Sequence, residues 1–243
     1  MNIEATTFHT RILRLTLATQ ESRAYWAAID PNIQGSARVE RAFTQRWFGN
    51  KSLARVKLLL ANFATRFDAF PEALETLRRW QPEDVGTRSL VCHWHLQLAD
   101  PLYRAFTGEW LDERRQEGRR AFDTDAVARW VGTLPNAAWA PSTRFQFASK
   151  LVRTADEAGL VSTVAGGQRT VLVPRVPDEA LGYLVRVLRG VTHSGTWRDN
   201  PYLRSVGLVN EDADGRLRRL PGIEYRRMGE LFELQASPLE ALS

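Results

Sequence analysis

Over the first 134 residues, apolar positions return every three or four residues, the spacing that places them on one face of a helix. Residues 8–29, 36–48, 52–67, 71–80, 87–100, 101–117 and 124–134 are each predicted helical on this pattern. Within 52–67, Leu53, Val56, Leu60, Phe63 and Phe67 make a single stripe. Ser36 follows Gly35 as a predicted N-cap, and Asp123 or Thr124 is expected to cap the last of these helices. Gly49-Asn50-Lys51 interrupts the pattern, so residues 36–67 read as a candidate helix-turn-helix.

The texture changes after Pro135. Pro141 sits where a first helical turn tolerates proline, a helix is expected from there to about 158, and Gly159 is its left-handed stop. Residues 161–164, Gly166-Gly167 and 169–173 then have the pattern of a short β-hairpin. Helix, helix, hairpin is the order of a winged helix-turn-helix. Further helices are expected over 177–191 and 197–206, and a second hairpin over 223–235. The fold class expected is mainly α: a helical domain over 1–134, then a winged-helix domain over 135–243 with a helical and hairpin extension.

Projected at 100° per residue from Phe145, Ala148, Leu151, Val152 and Ala155 share one arc of the 141–158 helix. Ser142, Gln146, Ser149, Lys150 and Arg153 lie on the other side, with no acid in the first three turns. Such a face suits a major groove, where Gln reads adenine edges and Lys, Arg and hydroxyls contact phosphate. Arg144 projects into the apolar arc, so it is expected to turn outward or to serve the structure. Arg169 is expected at the hairpin tip, where a wing touches backbone or minor groove. In the earlier pair, Ser52, Arg55, Asn62 and Thr65 are expected to face away from the stripe. Leu58 and Ala61 share that arc, which confines any nucleic-acid contact to the first turns, around Ser52, Arg55 and Lys57.

Composition narrows the function. The chain has 243 residues, 44% of them hydrophobic, which supports a packed core and excludes a disordered class. Its single cysteine, Cys92, cannot form an internal disulfide. No apolar run approaches a membrane span, and the N-terminal stretch, with Glu4 ahead of Arg11 and Arg14, lacks the apolar core of a secretion signal. A cytoplasmic location without membrane contact is expected. The net charge of +5 is modest, but residues 36–67 hold seven basic side chains against one acid, Glu40. Distribution therefore points to a polyanion more strongly than the sum does.

Other motifs fail on geometry. Gly49-Asn50-Lys51-Ser52 ends like a P-loop but lacks the upstream Gly and strand. His93 and His95 of Cys92-His93-Trp94-His95 lie two apart on a helix and face different ways, so buried helix residues are expected rather than a metal site. Asn210-x-Asp212-x-Asp214-Gly215 opens like a calcium loop but has Pro221 at the twelfth position, and is expected to be a polar turn leading into a basic patch. Asp112, Glu113, Asp123 and Asp125 have no nucleophile near them in sequence, and His193-Ser194 is mere adjacency. The aromatic residues are too dispersed for a stacking platform. No catalysis and no cofactor are expected. The residues expected to bind duplex DNA are Ser52, Arg55, Lys57, Ser142, Thr143, Arg144, Gln146, Lys150, Arg153 and Arg169. A protein-interaction or scaffold module, and an RNA-binding one, are the alternatives.

Thr10-Arg11, Ser52-x-x-Arg55 and Ala99-Asp100-Pro101-Leu102-Tyr103-x-x-Phe106 occur in an order that resembles the BrxA family of bacteriophage exclusion (BREX) phage-defence systems. The most specific stretch is Trp139-x-x-Ser142-Thr143-Arg144-x-x-x-Ala148-x-x-Leu151, running into Asp156-x-x-Gly159-Leu160. Ala140 departs from the family's tendency to a small hydroxyl cap, and 197–210 matches loosely. The resemblance implies a small, mainly α-helical protein whose helix-turn-helix modules bind double-stranded DNA without known catalysis. It also implies an accessory role in a locus encoding a methyltransferase and ATPases, which are the other partners expected.

Overall fold

The computed structural model describes residues 4–135, 138–191, 199–208, 211–228 and 231–237. The architecture is mainly α. After a 3-10 turn at Arg11–Leu13 come helices α1 (Thr19–Ala28), α2 (Gly35–Thr44), α3 (Leu53–Phe63), α4 (Pro71–Trp80), α5 (Val85–Ala99), α6 (Pro101–Ala105) and α7 (Leu111–Gln116). Then follow β1 (Ala121–Phe122), α8 (Thr124–Val131), α9 (Pro141–Glu157), β2 (Val161–Thr163), β3 (Arg169–Val171) and α10 (Asp178–Leu188). The chain closes with α11 (Pro201–Arg204), α12 (Glu211–Arg219), β4 (Ile223–Met228) and β5 (Leu231–Ala236).

Local chemistry sets most of these starts. Prolines 71, 101 and 141 occupy first turns, where a missing N–H costs nothing. Side chains of Ser52, Asp84, Asp100 and Asp123 accept the amides of Arg55, Thr87, Tyr103 and Ala126, at 3.3, 2.7, 3.0 and 2.7 Å. Ser36 does not cap: α2 begins one residue earlier, at a Gly35 with φ of 61°, and has no side-chain cap. It also stops at Thr44, where Arg46 takes a left-handed φ of 52°. The predicted helix over 101–117 is α6 and α7 joined by a π turn at Phe106–Trp110, and a second π turn, Ala64–Asp68, prolongs α3. Residues 8–29 resolve into the 3-10 turn and α1. The polar turn expected at 210–215 is instead the first part of α12, pinned to β4 by the Tyr225 hydroxyl donating to Asp214 at 2.8 Å; Asn210 lies outside the described residues. His193 and Ser194 lie outside them too, as do residues 197–198 of the helix expected over 197–206.

Strand β1 has no counterpart in the predicted elements. It pairs antiparallel with β3, which pairs antiparallel with β2, giving the order β1-β3-β2. The expected division at 134/135 therefore falls between α8 and α9, inside one β1–α8–α9–β2–β3 unit. The apolar core is continuous across that position. The second sheet is the β4–β5 hairpin.

Helix α5 is the axis of the core, buried along almost its whole length. Its polar residues choose their neighbours through hydrogen bonds. His93 lies 2.9 Å from both the Tyr103 hydroxyl and Ser205 Oγ, and His95 lies 2.7 Å from the Arg66 carbonyl and 2.6 Å from the Tyr183 hydroxyl. Trp94 donates to the Tyr202 carbonyl at 3.2 Å. The histidines are thus interior residues, as their spacing predicts, and burial pushes the Cys92 thiol up to about 11. Among the described residues no three His, Cys, Asp or Glu side chains are placed to hold a metal ion, and no helix is long and apolar enough to cross a membrane.

The π turn has a steric consequence. A Cβ built on Gly108 would stand 2.6 Å from Pro201 Cβ and 2.7 Å from the Pro201 carbonyl oxygen. Backbone cannot swing aside as a long side chain can. Gly108→Ala is therefore expected to cost about 1–3 kcal/mol by overpacking, measured as a lowered urea midpoint with an unchanged m-value.

Candidate nucleic-acid interface

Helix α9 carries two chemically opposite faces. Phe147, Ala148, Leu151, Val152, Thr154 and Ala155 are buried, while Ser142, Phe145, Gln146, Ser149, Arg153 and Asp156 are exposed. Lys150 and Thr143 are half-buried. The split follows the helical projection except at Phe145, whose ring is 49% exposed. Arg153 Nε donates to Glu157 Oε1 at 3.1 Å, yet its side chain is 68% exposed. An exposed pair at this spacing is worth about 0.3–0.5 kcal/mol, too little to hold the guanidinium back from a phosphate.

Arg144 takes the structural one of its two expected roles, and Arg169 sits elsewhere than expected. Arg144 turns back onto the connection between α8 and α9: its Nε donates to the Trp139 carbonyl at 2.7 Å, and its Nη1 lies 2.8 Å from where a Cβ on Gly132 would be. Trp139 in turn packs on Phe147, with ring centroids 4.3 Å apart. Trp139, Arg144 and Gly132 thus fix the angle at which α9 leaves its turn. Arg169 is not at the hairpin tip. It lies in β3 opposite Phe122 and Thr163, half-buried and in register with buried Val171 on the same sheet face. Gly166 and Gly167, with φ of 75° and 76°, make the tip.

The 36–67 stretch is less cationic in space than in sequence. Arg38, 11% exposed, is bonded to Asp68, the Tyr25 hydroxyl and the Ile33 carbonyl. Arg66 is buried. Arg41 and Lys51 lie 3.7 and 3.9 Å from Asp30 and Glu21. Lys57 and Arg46 are exposed, and Ser52 and Arg55 sit at the start of α3. Asn62 is buried, its amide donating to the Leu58 carbonyl at 2.8 Å, so it does not face outward. Leu53 leaves the stripe at 41% exposed.

The N-terminal segment joins the two basic regions, a connection without a sequence signal. Arg55 Nη1 reaches the Arg14 carbonyl at 3.5 Å. Three residues on, the Leu17 amide donates to Glu157 Oε2 at 3.0 Å, and the Thr16 hydroxyl to Glu157 Oε1 at 3.2 Å. Exposed Arg14 is at the α3 end of this connection, and exposed Arg11 is on the 3-10 turn that packs against α9. Four consecutive residues span at most about 11 Å between end Cα atoms, comparable to the roughly 12 Å width of a major groove.

Compared with known proteins, the chain matches no family model, no curated protein and no solved structure.

Proposed function

We propose that this chain is a non-catalytic double-stranded DNA-binding protein of a BREX-type phage-defence system, gripping duplex through basic helix-turn-helix surfaces with low sequence specificity. The observation that carries the reading is the outward face of α9. Gln146, Ser149, Lys150 and Arg153 lie along one helix, in a β1–α8–α9–β2–β3 unit whose strand order β1-β3-β2 is that of a winged helix. Arg11, on the 3-10 turn that packs against α9, and Arg14 and Arg55, joined by a hydrogen bond, add positive charge nearby, while exposed Lys57 adds it on α3. Phosphate neutralisation dominates such binding, and a polar first turn reaches base edges. The placement in a defence locus rests on the BrxA-like motifs, and a methyltransferase and ATPases are the protein partners this implies. In that setting the protein works in the cytoplasm.

A mobility shift on a generic duplex against salt tests the reading. Log affinity should fall linearly with log salt at about −0.9 per phosphate neutralised. Lys150→Ala with Arg153→Ala should flatten the slope by about 2 and weaken binding at every salt concentration. An unaltered slope in the double variant would place the interface elsewhere. No retardation at about 100 mM salt, with tight co-purification of another defence protein, would favour a scaffold role. Preference for structured RNA in competition would favour the RNA reading.

A further inference from the structure

The side chain on α9 that phosphate binding leaves unexplained is Phe145. It is 49% exposed on a face otherwise made of polar and charged residues, Ser142, Gln146, Ser149, Arg153 and Asp156. Its neighbours one turn before and after are Ser142 and Ser149, three before and four after. Both are too short to cover a phenyl ring. The ring is thus about half exposed beside Gln146, in the first turns, while Lys150 and Arg153 follow farther along. In a helix seated in a major groove, the early residues meet base edges and the later cations meet backbone.

Two complementary chemistries are thus adjacent. A glutamine amide can bond adenine N6 and N7 in bidentate fashion, and a phenyl ring suits the C5-methyl of thymine, the one apolar group in the major groove. Successive Cα atoms are about 3.8 Å apart, close to the roughly 3.4 Å rise per base, so residues 145 and 146 can address neighbouring base pairs. We propose that Phe145 and Gln146 give this protein a modest preference for adenine- and thymine-containing steps, Phe145 by contact with a thymine methyl. The proposal rests on the duplex-binding reading above and adds base discrimination to it.

The test uses the full chain and three duplexes: one with thymine in an A·T run, the same sequence with uracil for thymine, and one wholly G·C. Burying one methyl is worth about fourfold. The wild-type protein should bind the thymine duplex about fourfold more tightly than its uracil twin, and the G·C duplex less tightly than either. Phe145→Ala should abolish the thymine-to-uracil ratio and leave the salt slope unchanged, since Phe145 carries no charge. Phe145→Leu should keep part of the ratio, and Gln146→Ala should narrow the A·T-to-G·C difference. Equal wild-type affinity for the thymine and uracil duplexes, or a ratio that survives Phe145→Ala, overturns the proposal while leaving duplex binding intact. Failure to hold any duplex overturns both, and points to an apolar partner surface on another protein.

Discussion

Replacing Arg66 by alanine is expected to destabilise the protein by about 3–5 kcal/mol, because its guanidinium makes two charge-assisted hydrogen bonds worth roughly 1.5–3 kcal/mol each. Arg66 is 2% exposed on the π turn after α3. Its Nη1 and Nη2 donate to the carbonyls of Leu17 and Leu15, each at 3.1 Å. Burial pushes its pKa down to about 10, so it remains charged at neutral pH. Truncation leaves two carbonyls without this donor beneath the segment that carries Arg11 and Arg14. The loss should therefore be both global and local. Urea unfolding would report the first, and faster tryptic cleavage after Arg14 the second. Arg66→Lys cannot span both carbonyls and should lose about half as much. A loss below about 1 kcal/mol would mean that water replaces the guanidinium.

Arg66 also shows where sequence reading stops. By position it is one more base in a basic stretch, and only residues 49 and 51 positions away turn it into an interior strut. Arg38 is similar, since Asp68 lies thirty residues on. Charge counted along a chain measures what a face could be, whereas burial depends on partners that the count does not include. Local signals fared better: Pro71, Pro101 and Pro141 mark helix starts, Asp123 caps α8, and Gly159 ends α9 in the left-handed region with φ of 75°. These features depend on one or two neighbouring residues, and the sequence displays them. Strand β1 is two residues long, too short for any periodicity, and exists because β3 offers it an edge. The α9 face was legible because its polar and apolar residues alternate at helical spacing. Arg144 falls on its inner arc, and the structure places it there for the Trp139 carbonyl.

Mild acid is expected to weaken the fold steeply, through the two buried histidines of α5. The tautomers follow from their partners. A carbonyl can only accept, so His95 Nδ1 donates to Arg66 and its Nε2 accepts from the Tyr183 hydroxyl. The Ser205 hydroxyl donates to the Tyr202 carbonyl at 2.8 Å, so Ser205 Oγ accepts from His93 Nε2, and His93 Nδ1 accepts from Tyr103. Both rings are neutral and fully bonded, and burial pushes their pKa values down to about 3 for His93 and about 4 for His95, the nearby Arg66 charge adding to the second. An unfolded histidine titrates near 6.5. Below that pH the unfolded chain takes up protons that the folded chain refuses, so the contribution present above pH 6.5 is lost progressively as pH falls toward 4. Two such groups steepen the dependence to about 2.7 kcal/mol per pH unit, and the loss between pH 7 and 5 should reach about 4 kcal/mol. Asp100 and Glu109 oppose this, since burial raises both above their ordinary values and makes the folded state bind their protons first. Both carboxyls therefore reduce the fall that the two histidines drive. Urea unfolding at pH 7, 6 and 5 should show the fall, and His93→Gln, which preserves a donor and an acceptor, should halve its slope. Stability constant within about 1 kcal/mol across that range would mean that the rings admit a proton while folded, and that α5 is hydrated rather than the dry axis of the core.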